Sequence, residues 1–263
     1  MAISKPGFNS PVFQNRGAAV SAEQLDELYG RPSATPTDMG RMTYEDTIVK
    51  TLFTFGVLLV GAVIGWFVPI LALPGALIGL VLGLVNSFKR EPSKALVLAY
   101  AAFEGLFVGG ISAIFQSAYD GIVPMAVFGT LGVVGVTLAL FASGKIRASA
   151  RATKIFLVAI VGYAVFSLVN LGLMVFGVTS EMGPFGLRSA EIFGIPIGFL
   201  LGIVVVLLAA YSLVLDFDNV QQGVRNGAPA KFAWRAAFGI VVTVVWLYVE
   251  ICLLYTSPSP RDS

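Results

Sequence analysis

The stretch IVPMAVFGTLGVVGVTLALFA, residues 122–142, carries no charge, and SGKIRASARATK, residues 143–154, follows it with four basic residues and no acid. A helix of that length, at about 1.5 Å per residue, reaches about 30 Å, which matches the hydrocarbon thickness of a bilayer. The pair therefore reads as a membrane span followed by a basic loop. The same unit repeats along the chain. Apolar residues make up 57% of it and charged residues only 12%. A soluble domain carries about 45–50% apolar and about 25% charged residues, so a soluble core is excluded.

Seven spans are expected, over residues 48–68, 70–88, 94–116, 122–142, 154–178, 192–215 and 232–254. The fold class is thus an all-α membrane protein with seven transmembrane helices in a domain over 48–254. The first two spans have almost no loop between them, which predicts a tight hairpin or one shallow re-entrant element. Residues 1–47 are rich in Ser, Pro, Gly, Gln and Asn, and read as a disordered cytoplasmic arm with room for a short helix over 21–29. No cleavable signal is visible, because the first apolar run follows a long polar stretch.

Lysine and arginine set the orientation. Lys5, Arg16, Arg31, Arg41 and Lys50 precede the first span. Lys89, Arg90 and Lys94 follow the second, and Lys145, Arg147, Arg151 and Lys154 follow the fourth. Arg225, Lys231 and Arg235 follow the sixth. The loops of the other parity hold only Arg188. The expected location is the cell (cytoplasmic) membrane, multi-pass, with a cytoplasmic amino terminus and an outer carboxyl terminus.

Glycines at spacings of three or four let helices approach closely in lipid. Gly79 with Gly83 and Gly105 with Gly109 are such pairs. Tyr100, Trp66, Trp246 and Tyr248 read as interface anchors.

Three acids stand in or beside apolar runs: Glu104, Asp216 and Glu250. A carboxylate at membrane depth is costly and marks a functional site. Glu104 lies about 15 Å into the third span, which predicts a side chain facing the protein interior. Asp216 and Asp218 are expected at the end of the sixth helix, where the macrodipole disfavours negative charge unless cations or a bound ion balance it. Glu250 lies late in the last span. Two of these acids in one site would share a proton, because like charges at close range cannot both ionise cheaply. Such a pair also suits Ca²⁺, which takes oxygen ligands. The chain has no His, so a pH response must come from carboxylates, and its one cysteine, Cys252, rules out an internal disulfide.

The run Leu215-Asp216-Phe217-Asp218-Asn219-Val220-Gln221-Gln222-Gly223 resembles a signature of the Bax inhibitor family of membrane proteins. Glu104-Gly105, Leu247-Tyr248-Val249-Glu250 and the entry to the first span, Arg41 to Thr51, resemble that family too, in its bacterial branch. The resemblance implies a bundle around a central last helix. It implies a pH-sensitive Ca²⁺ leak gated by an acid pair, carried over as Asp216 and Glu250, which would also hold the ion. Glu104 and Asp218 would line the ion pathway. Arg90 or Lys89 would close on Asp216. The family's spacing also allows the partner position to fall near Val242, leaving Glu104 as the main intramembrane acid. Residues 252–263 depart from the family's usual basic ending and read as a foreign tail.

Two rival functions remain open: a non-conducting regulator that binds a membrane partner protein, such as a protease or channel, and a proton-coupled transporter. An enzyme is not expected, since no His base, metal cluster or phosphate-binding loop is visible. Beyond the lipid bilayer and Ca²⁺, no cofactor and no nucleic acid are expected.

Overall fold

The computed structural model describes residues 39–256. It contains seven helices long and apolar enough to cross a membrane. They are α1 (Tyr44–Phe67), α2 (Ala72–Phe88), α3 (Lys94–Ala118), α4 (Ile122–Ala142), α5 (Ala150–Val175), α6 (Ile197–Arg225) and α7 (Phe232–Tyr255). The helix over 21–29 and most of the arm lie outside the described residues.

Helix starts follow capping chemistry. Thr43 Oγ1 accepts from the Asp46 N–H at 3.1 Å, and Glu45 and Asp46 sit in the first turn of α1. Both features favour a helix amino terminus. Ser149 Oγ accepts from the Ala152 N–H at 3.2 Å and starts α5. Both helices therefore begin four residues before the apolar run that marked them. The junction between α1 and α2 is a tight turn over Pro69–Leu71, so the first two apolar runs form a hairpin of full spans. The described end of the arm is folded in. Met42 is buried and its N–H donates to Ala228 O at 2.7 Å, while Gly40 O accepts from Ala230 N–H at 2.8 Å.

One correction concerns α6. It runs to Arg225, so Asp216 and Asp218 lie inside it, about two turns before its end. The polar segment 216–225 keeps a helical backbone, and Asn226 with Gly227 (φ +62) ends it. Pro196 caps this helix from outside rather than interrupting it. A two-stranded hairpin, β1 (Glu191–Ile192) with β2 (Ile195–Pro196), fills part of the α5–α6 loop.

The last helix is central: α7 packs on α1, α3, α4 and α6. Its Val241 and Leu247 are fully buried with Leu213 of α6 and Val97 of α3. α3 lies between α1 and α2 and meets α1 backbone to backbone. A Cβ built on Gly105 would sit 3.0 Å from Gly61 Cα and from Ala62 N. Tyr100 and Tyr248 are buried in this core, not at an interface. Tyr100 meets Phe238 edge to face at 5.0 Å, and Tyr248 shares a 2.7 Å hydrogen bond with Ser112. Cys252 is buried in the same core and α7 continues to Tyr255. Residues 257–263 lie outside the described residues.

One end of the bundle gathers the basic segments. Lys231 pairs with Glu91 at 2.9 Å, Arg235 donates to the Lys89 carbonyl, Lys50 donates to Ala230 O at 2.9 Å, and Arg147 donates to Gln221 Oε1 at 3.0 Å. These contacts join the start of α1, the α2–α3 and α4–α5 loops, the last turns of α6, the α6–α7 loop and the first turn of α7 on one face.

Candidate functional site

The three candidate acids fall into two centres. The first lies between α2, α3, α6 and α7. A cavity of about 620 Å³ is lined there by Glu104, Asp216, Tyr100, Val242 and Thr243. A second cavity of about 520 Å³ lies toward the basic face, lined by Asn86, Asn219, Arg235 and again Asp216. Ser87, Asp216, Phe238 and Gly239 belong to both. Asp216 therefore stands where the two cavities meet.

Small residues make room for these acids. A Cβ on Gly239 would lie 2.8 Å from Asp216 Oδ1, and one on Gly79 would lie 2.6 Å from Glu104 Oε2. Gly79 thus serves as a recess for a carboxylate as well as a helix-packing residue. Thr243 Oγ1 donates to Asp216 Oδ2 at 2.7 Å and is itself 3.2 Å from Ser212 Oγ. Asp216 forms no ion pair with any described residue, and the Glu104 carboxylate has no hydrogen-bond partner among them. Both are left with oxygens free to face the cavity.

The second centre lies toward the other end of α7. Glu250 is 3% exposed. Arg188, on the short turn Gly186–Ser189, donates from Nη2 to Glu250 Oε2 at 3.1 Å and from Nη1 to Tyr163 Oη at 3.0 Å. The Tyr163 hydroxyl in turn donates to Glu250 Oε1. Burial pulls the Arg188 guanidinium down, but Glu250 and Tyr163 beside it win, and its pKa lies above the ordinary value. The turn is held from a third side by Asn170, whose Oδ1 accepts from Leu187 N–H at 2.7 Å and whose Nδ2 donates to Phe185 O at 3.1 Å.

The structure does not bring the expected pair into contact. No hydrogen bond joins Asp216 to Glu250, and Glu250 lines neither of the cavities that hold Asp216. The reason is helix register. Asp216 meets α7 at Thr243, seven residues and about 10 Å along the axis before Glu250. Thr243 adjoins Val242, the alternative partner position, so the α6 acid faces a hydroxyl there. Glu104, and not Glu250, shares a cavity with Asp216. Asp218 lines neither cavity and accepts from Gln222 Nε2 at 2.6 Å on its own helix. Lys89 and Arg90 are exposed and line neither cavity; the cation on the Asp216 side is Arg235. Among the described residues no three of His, Cys, Asp and Glu gather as a metal site.

A model of proteins described as Bax inhibitor 1 like matches residues 5–257. The chain belongs to this family. A comparison with curated proteins found no match. For this Bax inhibitor 1 like protein, the match covers all seven helices and all the site residues above. Arg188, Tyr163, Thr243 and Arg235 were not singled out from the sequence as site residues. Arg188 carried a readable signal, because it is the one basic residue of its loop parity and Glu250 is the one acid of the last helix. Thr243 carried none, being one hydroxyl in an apolar run.

Proposed function

We propose that this Bax inhibitor 1 like protein is a pH-regulated cation leak, chiefly for Ca²⁺, in which Asp216 and Glu104 are the acids that meet the ion. The observation that carries the reading is the position of Asp216 at the junction of two cavities. One leads toward the basic face and the other reaches Glu104 near the middle of α3. Carboxylate, hydroxyl and backbone oxygens are the ligands a hard cation takes. A proton on Asp216 or Glu104 removes the charge that attracts the ion, so protons and Ca²⁺ compete for the same oxygens and flux falls on acidification.

The groups facing Asp216 are Thr243 from α7, Arg235 across the 520 Å³ cavity, and Tyr100 with Glu104 across the other. Arg235 takes the role of closing cation. Its guanidinium donates to the Lys89 carbonyl, which keeps it at the mouth of the cavity. Glu250 is a structural acid in this account, since Arg188 and Tyr163 already occupy its oxygens. The basic face, whose segments hold every described Lys and Arg except Arg188, is cytoplasmic by the positive-inside rule.

Ca²⁺ flux through the purified chain in proteoliposomes tests this. Wild-type protein should conduct, and Asp216→Asn should lower flux at least about tenfold, the effect of roughly 1.4 kcal/mol on ion binding. No flux from the pure protein, together with stoichiometric capture of a membrane partner, would favour the non-conducting regulator instead.

A further inference from the structure

The basic face holds one ordered cluster that the proposed conduit does not use. Lys50 Nζ and Lys94 Nζ each lie 5.5 Å from the centre of the Trp234 ring. Lys94 Nζ is also 6.0 Å from the centre of the Phe53 ring, and the two rings meet edge to face at 6.5 Å. Cation–aromatic contact holds both ammonium groups in place. The charges do not balance. Lys50 is neutralised by Asp46 at 2.6 Å. Lys94 is exposed and has no carboxylate partner among the described residues.

Beneath this cluster runs an apolar groove between α1 and α3, with a volume of about 810 Å³. Phe53 belongs to both the cluster and the groove. Gly56, Val60, Gly61, Ile64 and Leu106 line the rest. From Phe53 to Ile64 the groove follows α1 for about 16 Å, close to half of the roughly 30 Å hydrocarbon core and so one leaflet deep. Gly56 opens the wall, since a Cβ there would meet nothing within 4 Å. A positive, aromatic-framed mouth continuous with an apolar trough one leaflet long has the outline of a single lipid molecule.

We propose that the structure holds a binding site for one anionic glycerophospholipid, its phosphate on Lys94 beside Trp234 and one acyl chain in the groove at Gly56. The site stands apart from the Asp216 cavities and does not depend on conduction. The headgroup supplies the negative charge that Lys94 lacks. A basic side chain near the membrane surface is worth about fivefold in affinity for an anionic lipid. The zwitterionic lipid of the same chains fits the groove but gains little from Lys94.

Native mass spectrometry of the full chain in detergent, titrated with phosphatidylglycerol or phosphatidylcholine of identical acyl chains, tests the proposal. The wild type should bind the first phosphatidylglycerol about fivefold more tightly than phosphatidylcholine. Lys94→Gln should abolish that preference and leave phosphatidylcholine binding unchanged. Gly56→Leu, whose Cβ meets nothing within 4 Å and whose side chain enters the groove, should weaken both lipids. Equal affinity for the two lipids in the wild type overturns the site. A preference that survives Lys94→Gln, or binding indifferent to Gly56→Leu, overturns it as well. Inorganic phosphate should not displace the lipid; displacement would make this a free-anion site and overturn the lipid assignment.

Discussion

Glu250 and Asp216 lie on packed helices in contrasting surroundings. Glu250 has a guanidinium and a phenol on its two oxygens, and is buried. Asp216 has one threonine hydroxyl and two cavities. Breaking a buried ion pair strands the surviving charge, at a cost of about 3–5 kcal/mol. Arg188→Gln should therefore lower the unfolding stability of the purified protein by about that amount. Adding Glu250→Gln to it should recover much of the loss, because no buried charge is then left unpaired. Equal stability of wild type and Arg188→Gln in thermal or denaturant unfolding would contradict the assignment of Glu250 as a structural acid. The three acids were legible as chemistry because charge stands out in an apolar run. Their partners were not, because partner choice depends on how α7 is rotated and offset against α6.

At the scale of elements, glycine pairs decide how closely helices meet. Gly105 of α3 rests against Gly61 of α1, with no room for a methyl group. Overpacking a tight contact costs about 1–3 kcal/mol, and here the obstacle is backbone. Gly105→Leu should lower the melting temperature markedly or prevent folding. Gly132→Ala and Gly135→Ala in α4 should be neutral or slightly stabilising, since a Cβ at either meets nothing within 4 Å and alanine favours the helix by roughly 0.5–1 kcal/mol. A melting series on the three variants checks the contrast. Element boundaries show where hydropathy carries information. α4 occupies the expected residues 122–142 because Gly121 and Ser143 bound a charge-free run. α6 runs ten residues past the apolar stretch because DFDNVQQGVR keeps the helix while leaving the hydrocarbon. α1 and α5 start early because their caps, Thr43 and Ser149, lie outside the apolar run.

For the whole molecule, the fold reduces to seven spans, a central last helix and one basic face. The spans and the basic loops were legible because lipid forces long apolar runs and charge sorts by side. The cavities were not, because they depend on glycines and packing angles that no single run encodes. The proposed orientation rests on the sorted charge. With Pro92→Cys in the α2–α3 loop and Phe193→Cys at the exposed hairpin tip, an impermeant thiol reagent added outside intact cells should label residue 193 and spare residue 92. The reverse pattern would invert the topology. The central claim is that Asp216, at the junction of the cavities, controls conduction while Glu250 only holds the structure together. The direct measurement is Ca²⁺ flux in proteoliposomes across pH 5–8 for wild type, Asp216→Asn and Glu250→Gln, a range free of histidine titration because the chain has no His. The account predicts flux that falls on acidification in wild type and in folded Glu250→Gln, and a low flux independent of pH in Asp216→Asn. A pH-dependent flux that persists in Asp216→Asn and vanishes in Glu250→Gln would contradict it.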